Sequence, residues 1–196
     1  EEHSPYSPSH QARVKGDLPY RRMEIQTIEE VIAECSSAGL EEIIPSTMGE
    51  PLIYKHMPRI IELCHQYDVK LNLTTNGTFP RLGAEAWARL IVPVGSDVKL
   101  SWNGSDRASQ RLVMVNNDFE QNMENLRTFI RVRDEHAKNG GNYCSVTLQM
   151  TFMEMNLHQI PRVVELAIAE GVDRVKGHHL WACLLYTSDA ADDSGC

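Results

Sequence analysis

Short apolar stretches alternate with amphipathic segments along this chain, and that alternation constrains the fold more than any other feature of its 196 residues. "EEIIPS", "KLNLTTN" (70 to 76), "DVKLSW" (97 to 102), "CSVTLQMTF" (144 to 152) and "GVDRVKGHH" (about 173 to 178) read as strands. Between them the apolar positions recur at steps of three and four. Ile25, Ile28, Val31, Ile32, Cys35 and Ala38 predict an amphipathic helix from Met23 to Gly39, with Thr27 and Glu30 spaced as a capping box. Helices are likewise predicted from Met57 to Tyr67, with Pro58 in the first turn, and around Ala84 to Ile91. A long one is predicted from Phe119 to Lys138, and a last one runs to Glu170, opened by Asn156 and Gln159 as a cap.

Five strands alternating with helices imply right-handed crossovers between parallel neighbours, so the fold class is α/β. The count suits part of a parallel (β/α) barrel or a doubly wound sheet. No Gly-rich dinucleotide fingerprint or phosphate loop follows any strand, which weighs against the nucleotide-binding doubly wound sheet.

Hydrophobic residues make up 42% of the chain, enough for a sizeable core. The net charge of -8, with scattered Lys and Arg, gives no electrostatic footprint for nucleic acid. No apolar run approaches the roughly 20 residues of a membrane helix, and "EEHSPYSPSHQARVKGDLPY" is too polar for a signal peptide, so a cytoplasmic location and no membrane partner are expected. The five cysteines, Cys35, Cys64, Cys144, Cys183 and Cys196, are far apart, with no CxxC pair to suggest zinc or a disulfide framework.

"CLLYTSDAADDSGC" (183 to 196) breaks with all that precedes it, since no helical or strand period persists. Cys-Leu-Leu-Tyr-Thr-Ser also resembles a translated sequencing adaptor, the transposase mosaic end, and the segment is expected to be a disordered tail that takes no part in the fold.

In parallel α/β folds, sites are built from loops at the C-terminal ends of several strands. The polar clusters here fall at such ends: Ser46 to Pro51, Thr74 to Thr78, Ser101 to Asp106 and Lys176 to His179. Glu50 stands between a permissive glycine and a stiffening proline, where its carboxylate can accept from an ammonium group. "TTNG" and "SWNG" offer hydroxyl and amide groups, though Asn-Gly is also ordinary turn chemistry. "KGHH" can hold a substrate, donate a proton or bind a metal, though a lone His pair is more often structural and falls short of the ligand count a metal site needs.

"MGEPLIYKHMPRIIELCHQYDVKLNLTTNGT" resembles the second and third strand region of radical S-adenosylmethionine (radical SAM) enzymes, where one strand ends in GGEPL and the next in a TNG turn. Gly49, Glu50 and Pro51 match, and Met48 replaces the first glycine. The similarity extends over most of residues 13 to 181. It implies a partial (β/α)₆ barrel over residues 23 to 182 that holds a [4Fe-4S] cluster on a CxxxCxxC loop after its first strand. It also implies S-adenosylmethionine bound to the cluster by its amino and carboxylate groups, an electron donor, and a small-molecule or peptide substrate. The activity implied is reductive cleavage of S-adenosylmethionine to a 5′-deoxyadenosyl radical that abstracts hydrogen from substrate. By the same resemblance Met48, Gly49, Glu50 and Ser101 would bind the cofactor. Thr75, Asn76, Asn103, Lys176 and His178 would line the substrate pocket.

The chain departs from the family pattern at one essential point, because it contains no CxxxCxxC. Cys35 and Cys64 are predicted on inward helix faces and Cys144 at a strand start, so none is expected to serve as a cluster ligand. The first strand and the cluster loop are therefore expected upstream of Glu1, with residues 1 to 22 as the connection. The chain by itself is then expected to be inactive. Two other readings stand beside this one: a cluster-free barrel hydrolase or lyase using Glu50 with His178 or His179, and a non-catalytic ligand-binding barrel.

Overall fold

The computed structural model describes residues 15–16, 22–45, 49–114 and 117–180. The expected connection over 1–22 therefore lies almost wholly outside the described residues, as does the adaptor-like segment 183–196.

Five strands form one parallel sheet: β1 (Glu42–Ile43), β2 (Lys70–Thr75), β3 (Gly95–Ser101), β4 (Ser145–Phe152) and β5 (Arg174–His179). Their order in space follows their order in sequence. A doubly wound sheet reverses its strand order at a switch point, and this sheet does not, so the arrangement is that of a partial barrel. Among the described residues one helix, α1 (Ile25–Ser37), precedes β1, and five connect the strands: α2 (Met57–Gln66), α3 (Ala84–Ile91), α4 (Arg107–Val113), α5 (Phe119–Lys138) and α6 (Ile160–Glu170). No helix of the described residues is long and apolar enough to cross a membrane.

The period-2 alternation of the strands sorts their side chains onto two very different faces. Leu71 and Leu73, Val98 and Leu100, and Val146, Leu148 and Met150 point one way into a single apolar core with Trp87, Leu126 and Phe129. Phe79 and Phe129 stack there at 5.7 Å between ring centroids. The opposite register positions are Asn72, Thr74, Asp97, Lys99, Ser101, Thr147, Gln149, Lys176 and His178, a polar face.

A buried cation braces the N-terminal end of the sheet. Arg133, 3% exposed, pairs with Asp173 at 2.6 Å and donates to the Gly171 carbonyl at 3.0 Å, while Asp173 accepts from the Val146 N–H at 2.7 Å. Every charge taken out of water there has a partner, which burial requires.

Several local expectations are corrected. The Thr27–Glu30 capping box does not form: α1 starts at Ile25 after Glu24, whose side chain makes no cap, so Thr27 already lies in the first turn. Val31, Cys35 and Ala38 are exposed rather than inward: α1 reaches the core through Ile25, Ile28 and Ile32 and packs against α2, where Arg59 donates to Glu29 at 2.6 Å. The sequence reading also lacks α4 and a short 3₁₀ turn at Pro51–Ile53.

Candidate functional site at the strand ends

The segment after β1 returns to the sheet through Glu50. Gly49 before it has φ +123°, a backbone region that suits glycine and strains other residues. Glu50 then caps the 3₁₀ turn, its Oε1 accepting from Leu52 N at 3.1 Å. The same oxygen accepts from Thr75 Oγ1 at 2.9 Å, and Oε2 accepts from Asn76 N at 2.7 Å. One carboxylate thus joins the loop after β1 to the turn after β2. A carboxylate can accept about four hydrogen bonds, and three come from these neighbours, so half-buried Oε2 retains capacity for one more donor.

The turn after β2 is held from its other side by α5. Asn122 Nδ2 donates to the Asn76 carbonyl at 3.1 Å and Asn125 Nδ2 to the Gly77 carbonyl at 2.8 Å. Gly77 has φ +79°, and a Cβ there would meet Asn122 Nδ2 at 3.3 Å. Asn76 Oδ1 accepts from Thr78 N at 2.9 Å, closing the turn on itself.

The loop after β3 is tied down in the same way. Asn103 is buried, its N–H donating to Gln110 Oε1 at 2.7 Å and its Oδ1 accepting from Thr151 N, also at 2.7 Å. Asn156 Nδ2 donates to the Asn103 and Thr151 carbonyls at 3.2 and 2.9 Å, and Ser105 Oγ donates to Gln159 Oε1 at 2.6 Å. Asn156 and Gln159 hold the N-cap positions of the 3₁₀ turn Leu157–Gln159 and of α6, but neither side chain bonds as a cap, and both are buried braces between the loops after β3 and β4. Gly104 fits under α4 only because it lacks a side chain, since a Cβ would lie 2.6 Å from Gln110 N. The cap that does form is at Asp106, which accepts from Ser109 N at 2.8 Å. The Ser109 N–H, then its hydroxyl, hold the Asp106 carboxyl below its ordinary pKa.

Of the residues singled out in the sequence, Glu50, Thr75 and Asn76 meet at one corner. Thr75 faces the helix layer, 2% exposed, and Asn103 serves the protein's own backbone. Ser101 ends β3 on the polar face, opposite Gln149. Lys176 and His178 occupy that same face of β5, exposed. His179 falls on the opposite face with its ring against Phe152, 6.0 Å between centroids, so the two histidines do not form a pair. Met48 lies outside the described residues.

Sequence reasoning missed Gln110, Asn122 and Asn125, and misread Asn156 and Gln159. A signal existed for Asn122 and Asn125: they interrupt the inward apolar stripe of Phe119, Met123, Leu126 and Phe129 on α5. A buried amide there needs a partner, and unpaired strand-end carbonyls are the nearest available acceptors.

The three cysteines among the described residues do not fit an iron–sulfur cluster. Cys35 is exposed on α1, Cys64 is buried on α2 and Cys144 is buried just before β4. Burial pushes the Cys64 thiol up to about 11 and the Cys144 thiol up to about 12, whereas a cluster needs thiolates. No group of three His, Cys, Asp or Glu side chains among the described residues is placed to hold a metal ion.

The family model described as "Radical SAM superfamily" matches residues 6–167. The chain belongs to the radical SAM superfamily. Among solved structures, this radical SAM chain is similar to Streptococcus suis SuiB, at 15% identity and a TM-score of 0.66, over 86% of this chain and 36% of SuiB. SuiB bound to S-adenosylmethionine gives the same TM-score at 16% identity, over 85% of this chain and 36% of that one. TYW1 with a lysine-pyruvate adduct bound gives 0.53 at 14% identity, over 79% of this chain and 51% of TYW1. At these identities the likeness concerns the fold, and the chain spans about a third of SuiB and half of TYW1. No curated protein matches the radical SAM chain.

Proposed function

We propose that this chain is the S-adenosylmethionine-holding part of a radical SAM enzyme, one that cleaves the cofactor reductively at a [4Fe-4S] cluster and takes hydrogen from a substrate. The observation that carries this reading is the Glu50 corner. The two sequence motifs behind the resemblance, GEPL and TNG, meet in space through one carboxylate, and Oε2 keeps an acceptor site for an ammonium group.

On this reading Gly49 and Glu50 bind the amino group of the cofactor's methionine moiety, and Met48 belongs to the same loop. Ser101, two strands along on the polar face, contacts the methionine or ribose end. Thr75, Asn76 and Asn103 set the shape of the pocket by fixing its loops. Lys176 and His178 face the substrate. A peptide is one substrate class to test, since SuiB has been solved bound to precursor peptide SuiA.

Ligands for the cluster are not found among the described residues. We place its loop on another strand, one that pairs along β1, where Ile44 and Val31 leave apolar surface exposed at 57% and 50%. The chain alone is then inactive. The alternative of a hydrolase pairing Glu50 with His178 is disfavoured by topology: Glu50 is fixed to the end of β2, and His178 lies three strands away, roughly 14 Å at sheet spacing.

The test is anaerobic reconstitution with iron and sulfide, on this chain and on a gene product extended to include a CxxxCxxC loop. We expect stoichiometric iron and 5′-deoxyadenosine from the extended protein only. A cluster-loaded, reduced protein that leaves S-adenosylmethionine intact would overturn the reading.

A further inference from the structure

The polar face of the sheet holds a cavity of about 490 Å³, bounded by Asn72, Asp97, Lys99, Thr147, Arg174 and Lys176. It lies below Ser101 in register, toward the N-terminal ends of the strands, and so apart from the Glu50 corner. Its volume falls within the usual range of small-molecule sites.

Charge is distributed unevenly around it. On one side Lys99 and Asp97 pair at 3.2 Å, with side chains only 13% and 10% exposed, and Asp97 also accepts from Thr147 Oγ1 at 2.8 Å. Lys99 donates to Asn72 as well, and Asn72 donates to Glu42 at 3.1 Å. Lys99 and Asp97 therefore neutralise each other, while Glu42 at the β1 edge accepts from the neutral Asn72 and Ser96 side chains. On the other side Arg174 and Lys176 stand at alternate positions of β5, facing the same space. Arg174 donates to Ser145 Oγ at 2.9 Å, and among the described residues neither cation has a carboxylate partner. Lysines on edge strands also guard against stray pairing, but that role needs charge at the rim and no cavity.

Two cations on alternate residues of a strand are roughly 7 Å apart at the backbone, a separation their long side chains bridge around one oxyanion. A guanidinium offers a planar fork, which matches a carboxylate or phosphate edge, and an ammonium adds a point charge. We propose that this cavity binds a small oxyanion-bearing molecule, with Arg174 and Lys176 as its charge partners and the Thr147 hydroxyl within the lining. That the anion belongs to the enzyme's substrate rests on the radical SAM reading; the binding itself does not.

Isothermal titration of the full chain with succinate and with inorganic phosphate at low salt tests the proposal. We expect saturable binding of at least one probe, weakened about tenfold or more when Arg174→Gln and Lys176→Gln are combined and largely retained in Lys176→Arg. The tighter probe identifies the anion as carboxylate or phosphate. Both altered residues are exposed, and circular dichroism checks that the variants remain folded. No saturable binding of either probe, or unchanged binding in the double variant, overturns the proposal. Because S-adenosylmethionine is absent from this titration, its failure leaves the cofactor reading standing, and failure to cleave the cofactor leaves the anion site standing.

Discussion

Thr75 donates its hydroxyl hydrogen to Glu50 Oε1 at 2.9 Å, joining residues 25 apart in the chain. With the bonds from Asn76 N and Leu52 N, this makes one carboxylate the fastening between the exits of two neighbouring strands.

Removing that carboxylate should loosen the corner before it touches any chemistry. Glu50→Ala leaves the buried Thr75 hydroxyl and the Asn76 N–H without their acceptor, at a cost of about 2–4 kcal/mol. Glu50→Gln keeps one acceptor oxygen and should cost about half as much. Urea denaturation measures both, and an alanine variant as stable as the parent would show that the fastening is not formed in solution.

The two asparagines of α5 should behave as a unit. Asn122→Ala or Asn125→Ala frees a carbonyl of the turn after β2, for about 1–3 kcal/mol each. Because the two carbonyls are adjacent, the double variant should cost less than the sum of the singles. Hydrogen exchange should quicken at Asn76 and Gly77 in each variant, and unchanged protection there would remove these residues from the site.

The central sheet was legible in the sequence because β2, β3 and β4 each carry an alternation that one buried and one polar face demand. The partial barrel followed from that alternation, although the choice between barrel and doubly wound sheet needed the strand order. What stayed hidden was set by contacts between distant residues. An asparagine three residues before a glutamine reads as a helix cap whether it caps or, like Asn156, braces two loops from inside. Helix α4, "RASQRLV", has too few apolar residues to show a period and exists by virtue of the Asp106–Ser109 cap and its packing on Gly104. Cys35 was misplaced for the opposite reason: its stripe is periodic, but only Ile25, Ile28 and Ile32 of α1 reach the core, and the Cys35 flank stays exposed. At the site, Glu50 stood out by its neighbours in sequence, whereas the amides that position its surroundings sit 46 and 48 residues from their acceptors.

The cap of α4 should make stability depend on acid. The folded Asp106 carboxyl titrates below its ordinary value, so its contribution is present in full above about pH 4, the unfolded range. It is then lost as pH falls through the lower, folded value. At pH 7, Asp106→Ala should cost about 0.5–2 kcal/mol, and Asp106→Asn much less, since an amide also caps. Below pH 4 the gap between parent and Asp106→Ala should narrow. Denaturation series at pH 7 and pH 3 that show the same gap would contradict capping by the ionised form.

Thiol reactivity offers a test of the core that is independent of activity. With pKa values of about 11 and 12, Cys64 and Cys144 are thiolates in only about one molecule in 10³ and one in 10⁴ at pH 8. Burial also blocks the reagent, while Cys35 is exposed on α1. Of Cys35, Cys64 and Cys144, iodoacetamide at pH 8 should therefore modify Cys35 first, and reach the other two only after denaturation, as read by peptide mass spectrometry. Iron and sulfide should not alter the pattern at Cys64 and Cys144, because no group of three His, Cys, Asp or Glu side chains among the described residues is placed to hold a metal ion. Equal labelling of all three in the folded protein would mean that the apolar layer beneath the sheet opens readily, and that the polar face above it is no fixed platform for a ligand.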